Sequence, residues 1–377
     1  MNEMFYLTRY LLNVLSDIVY FFFKPLSPFF DRDFHLKPKR ILVMYNQIVK
    51  IGDSILITPA INALRKRFPS AFIAVMVTPT VEPVFRNNPD IDKLIVSKYY
   101  RFKKFFCSLE YRRLKKENFD LILNFYFSLT ANLLAFLSSP KYTVGFDLNG
   151  SGFCLNSKIK FLLPRRRTKH EIEYYLDILR SLGVKCELTK PRIFTSPQQK
   201  KWSNGFLKDH KIQKNKILVG IHPGAAFDAR TWPKERFISV IDMLAEKYDL
   251  NFLFFGDLEK KSEKVTVVKN ISLNQLLALI ERCDLFICND SGPMHMAVAL
   301  DVPVVAIFGP QTPAKYGPIG DENIAIHKGL PCSPCKQTFF YECKPIEGKP
   351  PCLHTIKTEE VFRVADYRIK KLMRKIQ

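Results

Sequence analysis

Three short stretches of this sequence combine glycine, a carboxylate or a strong cation, and small neighbours in patterns suited to holding an anion or moving a proton. The first is Ile51-Gly52-Asp53-Ser54. A carboxylate directly after glycine at the start of a helical pattern has two readings. It is an N-cap, where aspartate is favoured, or a base turned towards a ligand. The second stretch is GIHPGAAFDARTW (220–232). Gly224 and Ala225 leave backbone N–H groups approachable, Arg230 supplies forked donors for a diphosphate, and Pro233 opens a helix where a missing N–H costs nothing. His222 is read as a buried, hydrogen-bonded histidine. The third is NDSGPMH (289–295). Ser291 or Asp290 caps a helix, Gly292 and Pro293 lie in its first turn, and His295 points the same way. A helix N-terminus of this kind suits a phosphate-bearing ligand. No His/Asp set with ligand spacing surrounds it, so a catalytic metal is not expected there. A dinucleotide cofactor gains no support either, because G-x-G-x-x-G is absent.

A fourth cluster has different chemistry. Cys332, Cys335, Cys343 and Cys352 follow C-x2-C-x7-C-x8-C spacing among prolines 331, 334, 350 and 351. Four thiolates so spaced fit a structural zinc site; reduced thiols in an irregular connection, or partial disulfide pairing, are the alternatives. The nine cysteines are odd in number and otherwise dispersed, which favours reduced, cytosolic thiols.

The elements that must position these residues are alternating strands and helices. RILVM (40–44), 71–77, 93–96 and 120–124 read as strands, with helices over 54–68, 84–87, 102–117 and 129–137. A polar stretch at 196–201 precedes a second series: strands 216–221, 250–255, 284–288 and 302–308, helices 234–247, 273–282 and 294–300, and a final helix near 359–375. This rhythm implies βαβ crossovers and parallel sheets. The expected architecture is two Rossmann-like doubly wound α/β domains facing a cleft. Their limits are 39–195 and 196–356, with an extension over 1–38 and a terminal helix over 357–377. In such sheets ligands bind beyond the carboxyl ends of the strands, where all three anion-directed stretches fall.

The chain has 377 residues, of which 47% are hydrophobic and 25% charged, which excludes a disordered, collagenous or coiled-coil protein. Its formal charge of +22 calls for an anionic partner: nucleic acid, lipid headgroups or a phosphorylated substrate. No nucleic-acid recognition motif supports the first. Residues 4–23 form an apolar segment whose Arg9, Asn13, Ser16 and Asp17 share one helical face. That pattern suits an N-terminal helix lying in a bilayer interface, with packing on protein or a true span as alternatives. Basic residues at 103–116 and 165–170 are either solvated surface or a patch for an acidic acceptor.

The motifs together resemble the family 9 glycosyltransferases, the heptosyltransferase-like enzymes of bacterial lipopolysaccharide core assembly. The resemblance runs from Arg40 to about Ala365 and rests on IGDSILITPAINALRKRFP (51–69), GIHPGAAFDARTWPKERF (220–237) and DLFICNDSGPMHMAVALDVPVVAIFGPQTPAKYGP (284–318). A weaker match is KHEIEYYLDILRSLG (169–183). The resemblance implies a GT-B fold, with the acceptor handled by the first domain and the nucleotide-sugar by the second. It implies inverting, metal-independent transfer, with heptose from ADP-heptose the expected donor group and a lipopolysaccharide core or related acidic glycolipid the acceptor. Asp53 would then be the general base. Arg230, where many members carry Lys, and the 289–295 turn would neutralise the departing nucleoside diphosphate. The expected location is cytoplasmic, on the anionic inner face of the cell membrane.

Three departures qualify the likeness. Between the first strand and Ile51 the chain reads YNQIVK, about two residues longer than the turn usual in the family. Residues 256–271 form a short segment expected to lack a helix and a strand. Arg230 keeps the charge of Lys but not its geometry. Within the family, a different nucleotide-sugar and acceptor remain the second reading. A catalytically silent, membrane-bound glycolipid-binding protein is the rival from another class.

Overall fold

The computed structural model describes residues 34–376 except 46–50, 98–109, 149, 161–168, 259–263, 334, 336–342, 344–345 and 347. The N-terminal apolar helix expected from the sequence lies outside the described residues. The described chain divides into two compact units, the second built from Ile51–Leu56, Thr168–Glu171 and Thr189–Gln377 and the first from the remainder.

The first unit holds strands β1 (Arg40–Tyr45), β2 (Phe72–Val77), β3 (Lys93–Val96), β4 (Leu121–Asn124), β5 (Tyr142–Asp147) and β6 (Ser157–Lys160). They form one parallel sheet of order β3-β2-β1-β4-β5-β6. Residues 41–45 and 73–77 are all buried, as expected of strands covered on both faces. The helices α2 (Thr58–Arg67), α3 (Glu82–Phe85), α4 (Glu110–Lys116), α5 (Leu129–Leu137) and α6 (Glu171–Arg180) make the connections. The helix α1 (Ile51–Ile55) comes between β1 and α2 in the chain but packs with the second unit.

The helix expected over 54–68 is therefore two helices. Pro59 sits in the first turn of α2, whose N-cap is Ile57. Proline there lacks an N–H and its ring crowds the carbonyl one turn back, so the pattern breaks and restarts. The basic Arg65, Lys66 and Arg67 occupy the last turn, where they complement the helix dipole.

The second unit repeats the plan with β7 (Leu218–His222), β8 (Asn251–Phe255), β9 (Val265–Val268), β10 (Leu285–Asn289), β11 (Val304–Phe308) and β12 (Ile324–His327), parallel and in the order β12-β11-β10-β7-β8-β9. Counted from its own first strand, this is the same 3-2-1-4-5-6 arrangement as the first sheet, the doubly wound nucleotide-binding order. Its core gathers Trp232, Phe237, Phe252, Phe254, Leu285 and Ile307 on one face of the sheet. The 256–271 segment, expected to lack a strand, contains β9, whose Val265, Thr266, Val267 and Val268 pair with Phe252–Phe255 at the sheet edge.

The remaining helices of this unit are α7 (Pro197–Asp209), α8 (Lys234–Lys247), α9 (Leu273–Ile280), α10 (Gly292–Ala299), α11 (Pro313–Tyr316), α12 (Pro351–His354) and α13 (Thr358–Ile376). The polar stretch at 196–201 is the start of α7. Ser196 accepts from Gln199 N while the Gln199 side chain returns to Ser196 N, a capping box that turns polar residues into a helix start. Helix α13 buries Val361, Ala365 and Ile369 against the core, and Arg368 is anchored on Glu322 and the Asp321 carbonyl. Among the described residues, no helix is long and apolar enough to cross a membrane.

Candidate active site

The second unit brings the three anion-directed stretches together at the carboxyl ends of β7 and β10. Asn289, the last residue of β10, is the joint. Its Nδ2 donates to the Pro223 carbonyl at 2.6 Å and its Oδ1 accepts from Trp232 N at 3.0 Å. One buried amide thus fixes both ends of the 223–232 segment. Trp232 is fully buried and its indole donates to the Ile356 carbonyl, which holds the C-terminal side of that segment. Between these anchors Gly224 passes so close to the His222 ring that a Cβ would lie 3.2 Å from Cε1, so the missing side chain at 224 eases a tight contact. A single 3-10 turn, Asp228–Arg230, then presents the arginine.

Arg230 Nη1 lies 3.5 Å from Asp290 Oδ2. This is an ion pair but too long for a hydrogen bond, and Asp290 Oδ2 is buried with no hydrogen-bond partner among the described residues. Burial pushes the Asp290 carboxyl up to about 6, against the pull of Arg230 and with a further push from the Asp53 charge. Ser291 stands at the N-cap of α10 with extended backbone, but its hydroxyl makes no capping bond, and Oγ is buried without a hydrogen-bond partner. Pro293 occupies the first turn, as the sequence implied. His295 is buried and held neutral, pushed down to about 3 first by burial and then by the charges of His170 and Arg230. Burial likewise pushes His222 down to about 4, against the opposing pull of backbone hydrogen bonds at Gly224 and at His222 itself, as expected of a buried, hydrogen-bonded histidine, although its Nδ1 has no geometric hydrogen-bond partner among the described residues.

Helix α1 completes the site. A Cβ on Gly52 would lie 3.0 Å from His295 Cδ2 and 3.3 Å from Gly292 Cα. Glycine is required here because the start of α1 rests directly on the first turn of α10. The contact puts Asp53, in the first turn of α1, within electrostatic reach of Asp290. Gly224, Ala225, Arg230, Asp290, Ser291, Gly292, Pro293 and His295 thus belong to one neighbourhood of the second unit with Asp53. A cation, a helix N-terminus and buried, unsatisfied polar atoms can receive an oxyanion. A carboxylate beside them can accept a proton.

Two roles escape sequence reasoning. Asn289 belongs to the third stretch, but only the fold shows its side chain clamping the 223–232 segment. His170 stays close to His295 and holds the Gly317 carbonyl at 3.1 Å through Nε2. Its only sequence signal is its place in the weakly matching stretch 169–183.

The cysteines expected to form a zinc site lie elsewhere. Cys335 N donates to the Pro310 carbonyl, and Leu353, next to Cys352, packs against Gly309, so both ends of the loop are pinned beyond β11. The thiols are near enough to feel one another. Burial, helped by the other three cysteines, pushes Cys352 up to about 12. Yet among the described residues no group of three or more His, Cys, Asp or Glu is arranged to hold a metal ion.

Two doubly wound parallel sheets make this an α/β protein of the GT-B kind. Solved structures with the same fold include a glycosyl transferase family 9 protein from Veillonella parvula. It is 26% identical, with a TM-score of 0.78 over 90% of this chain and 100% of that one. The ADP-heptose lps heptosyltransferase II of E. coli superposes with a TM-score of 0.70 at 19% identity, covering 89% of this chain and 99% of that one. The lipooligosaccharide heptosyltransferase 2 of Campylobacter jejuni is 25% identical over 338 residues, spanning 85% of this chain and 96% of its own length. The model of glycosyltransferase family 9 (heptosyltransferase) matches residues 110–343. This chain belongs to that family and is a glycosyltransferase.

Proposed function

We propose that the enzyme moves a sugar, heptose from ADP-heptose foremost, onto a lipopolysaccharide core or related acidic glycolipid in one inverting displacement. The carrying observation is the seat of Gly52 on Gly292 and His295, which sets the Asp53 carboxylate beside the Arg230–Asp290 pair. In the reaction, Asp53 takes the proton of the acceptor hydroxyl as its oxygen bonds to the anomeric carbon. The bond from that carbon to the phosphate oxygen breaks on the opposite face, and its electron pair leaves with the nucleoside diphosphate. Anomeric configuration inverts, because a single attack occurs from behind. Since a hydroxyl is far less acidic than a carboxyl group, the proton moves as the C–O bond forms, not before it. Arg230 and the first turn of α10 supply positive charge to the departing diphosphate, so the step is written without a metal. The names of the relatives, which include an ADP-heptose enzyme, support this donor. The first unit, with its own set of strand ends, is the proposed acceptor-binding domain.

The acceptor is proposed to lie in an anionic membrane face. A charge of +22 supports this, as does the outer face of α13, which exposes Arg363, Tyr367, Lys370, Lys371, Met373 and Arg374. The test is a panel of nucleotide-sugars with purified full-length protein and acceptor glycolipid carried in anionic or neutral vesicles. Transfer from ADP-heptose, faster on anionic vesicles, is expected. No transfer from any donor, together with no binding of any nucleoside diphosphate, would sink the reading.

A further inference from the structure

The basic run over 103–116 is a sequence feature to which the proposed reaction gives no task, and its described part is α4. This helix turns Leu114 into the same core as Leu134 and Ala135 of α5, against Leu42, Met44 and Ile122 of the sheet. The two helices therefore lie side by side in one layer. The outer surface of that layer has two chemistries. From α4 it exposes Arg112, Arg113, Lys115 and Lys116, while Glu110, the one acid of the helix, is turned inward and 3% exposed. From the last turn of α5 it exposes Phe136 and Leu137. At 39% and 42% these are the most exposed large apolar side chains of the first unit among the described residues.

The neighbouring acids are engaged elsewhere. Glu117 pairs with Lys93 and Arg40, and Asp120 accepts from Lys39 N, Arg40 N and Lys141 Nζ. These bonds also fix where the surface lies, because they tie the end of α4 to the starts of β1, β3 and β4. Phe34, the first described residue, sets its ring edge-on to Tyr142 at the start of β5, with centroids 5.1 Å apart. The apolar segment 4–23, whose pattern suits a bilayer interface, is thus tethered to this same rim by the ten residues between it and Phe34. We infer that the outer surface of the α4–α5 layer is a docking face for an anionic bilayer, an assignment that rests on the membrane-borne acceptor of the proposed reaction. Cations alone would suit any polyanion, and an apolar pair alone any protein. Together they match lipid phosphates and the acyl boundary beneath them. A helix layer is about 10–12 Å thick, so the carboxyl ends of the first sheet stay within reach of the sugar part of a membrane-borne glycolipid.

The experiment is co-sedimentation of full-length protein with phosphatidylcholine vesicles, with and without phosphatidylglycerol. The proteins are wild type, Lys115→Ala/Lys116→Ala, Phe136→Ser/Leu137→Ser and, on α13, Arg363→Ala/Arg374→Ala. Unfolding midpoints and transfer to detergent-solubilised acceptor are read for each. On anionic vesicles the lysine pair should weaken binding roughly 30-fold, from about 1 kcal/mol for each cation removed. The apolar pair should weaken it about tenfold or more. Transfer in detergent should be unchanged in both. Unaltered vesicle binding by both α4–α5 variants overturns the docking face while the membrane reading stands, and loss in the α13 variant would then put the contact there. Unaltered binding with an unfolding midpoint lowered in the apolar pair would assign the surface to the chain's own 4–23 segment and equally overturn it. A wild type indifferent to phosphatidylglycerol overturns both.

Discussion

The fourth strands of the two sheets occupy the same place in the same topology, and both end in asparagine: Asn124 in β4 and Asn289 in β10. The turns that leave these two asparagines differ sharply. Asn124 donates to Asn132 Oδ1 at 2.6 Å and accepts from Tyr126 N, while Asn132 donates onward to the Phe146 and Ser151 carbonyls. Ser128 then caps α5 by accepting from Ala131 N. Each of these side chains is satisfied within the protein. After Asn289 come a carboxylate held near 6 by burial and a serine at the cap position whose hydroxyl caps nothing. Buried polar groups are normally satisfied, and those that are not mark strain or a missing partner. The comparison teaches that one strand end is closed by its own side chains, while the other leaves Asp290 Oδ2 and Ser291 Oγ buried without a hydrogen-bond partner among the described residues, the opening that the proposed donor site would use.

The largest effect expected from this contrast lies at Asp53. Asp53→Asn keeps the shape of α1 on α10 but removes the proposed proton acceptor. Turnover should fall by about 10²–10⁴-fold, the span of a lost general base. Nucleoside diphosphate affinity should stay within about twofold, because the cation and helix end remain. Parallel turnover assays and calorimetry check both halves. Undiminished transfer would move the chemistry away from the open strand end and break the comparison.

How much of this is legible in the sequence divides along physical lines. The central strands of both sheets show as continuous apolar runs, since burial on both faces leaves no other residue type tolerable. β5 escapes because Gly145 and Asp147 interrupt its apolar pattern, although the strand is interior and buried. The short β6, β9 and β12 lie at sheet edges, where one neighbour suffices and the signal thins. The capped start of α7 looks like a polar linker because caps are made of the same residues as loops. Each motif of the site can be found from its glycine and charge, but their meeting cannot. It depends on Gly52 permitting a close helix-to-helix approach between segments far apart in the chain, since a Cβ there would lie 3.0 Å from His295 Cδ2. The cysteine spacing, by contrast, promises a metal geometry that the described thiols do not adopt.

A smaller effect should appear in stability against pH. Folding lifts Asp290 from an ordinary carboxyl value of 3.8 to about 6, so between those values the native state binds more protons than the unfolded chain. Stability from this group is therefore fully present below about pH 4 and is lost as pH rises through 6. Asp290→Asn removes the titration. The mutant should show a flatter decline over pH 4–6, by up to about 1.4 kcal/mol per pH unit. Denaturant unfolding of both proteins across this range measures it. No equivalent change is expected on replacing Asn124, which has no proton to exchange.

The finest test sets the two serines against each other. Ser128→Ala deletes a working cap and should cost about 1 kcal/mol of stability, without changing nucleotide affinity. Ser291→Ala deletes a hydroxyl that caps nothing and has no hydrogen-bond partner among the described residues. Removing an unsatisfied buried polar atom relieves a desolvation cost, so its stability should be unchanged within about 0.5 kcal/mol or slightly higher. Its effect should fall instead on the donor, as a several-fold weaker nucleoside diphosphate if the hydroxyl donates to a phosphate oxygen. Two identical substitutions at equivalent strand ends would then divide cleanly, one read by unfolding and the other by titration. Equal stability losses at both positions would mean that the second turn is closed by its serine after all.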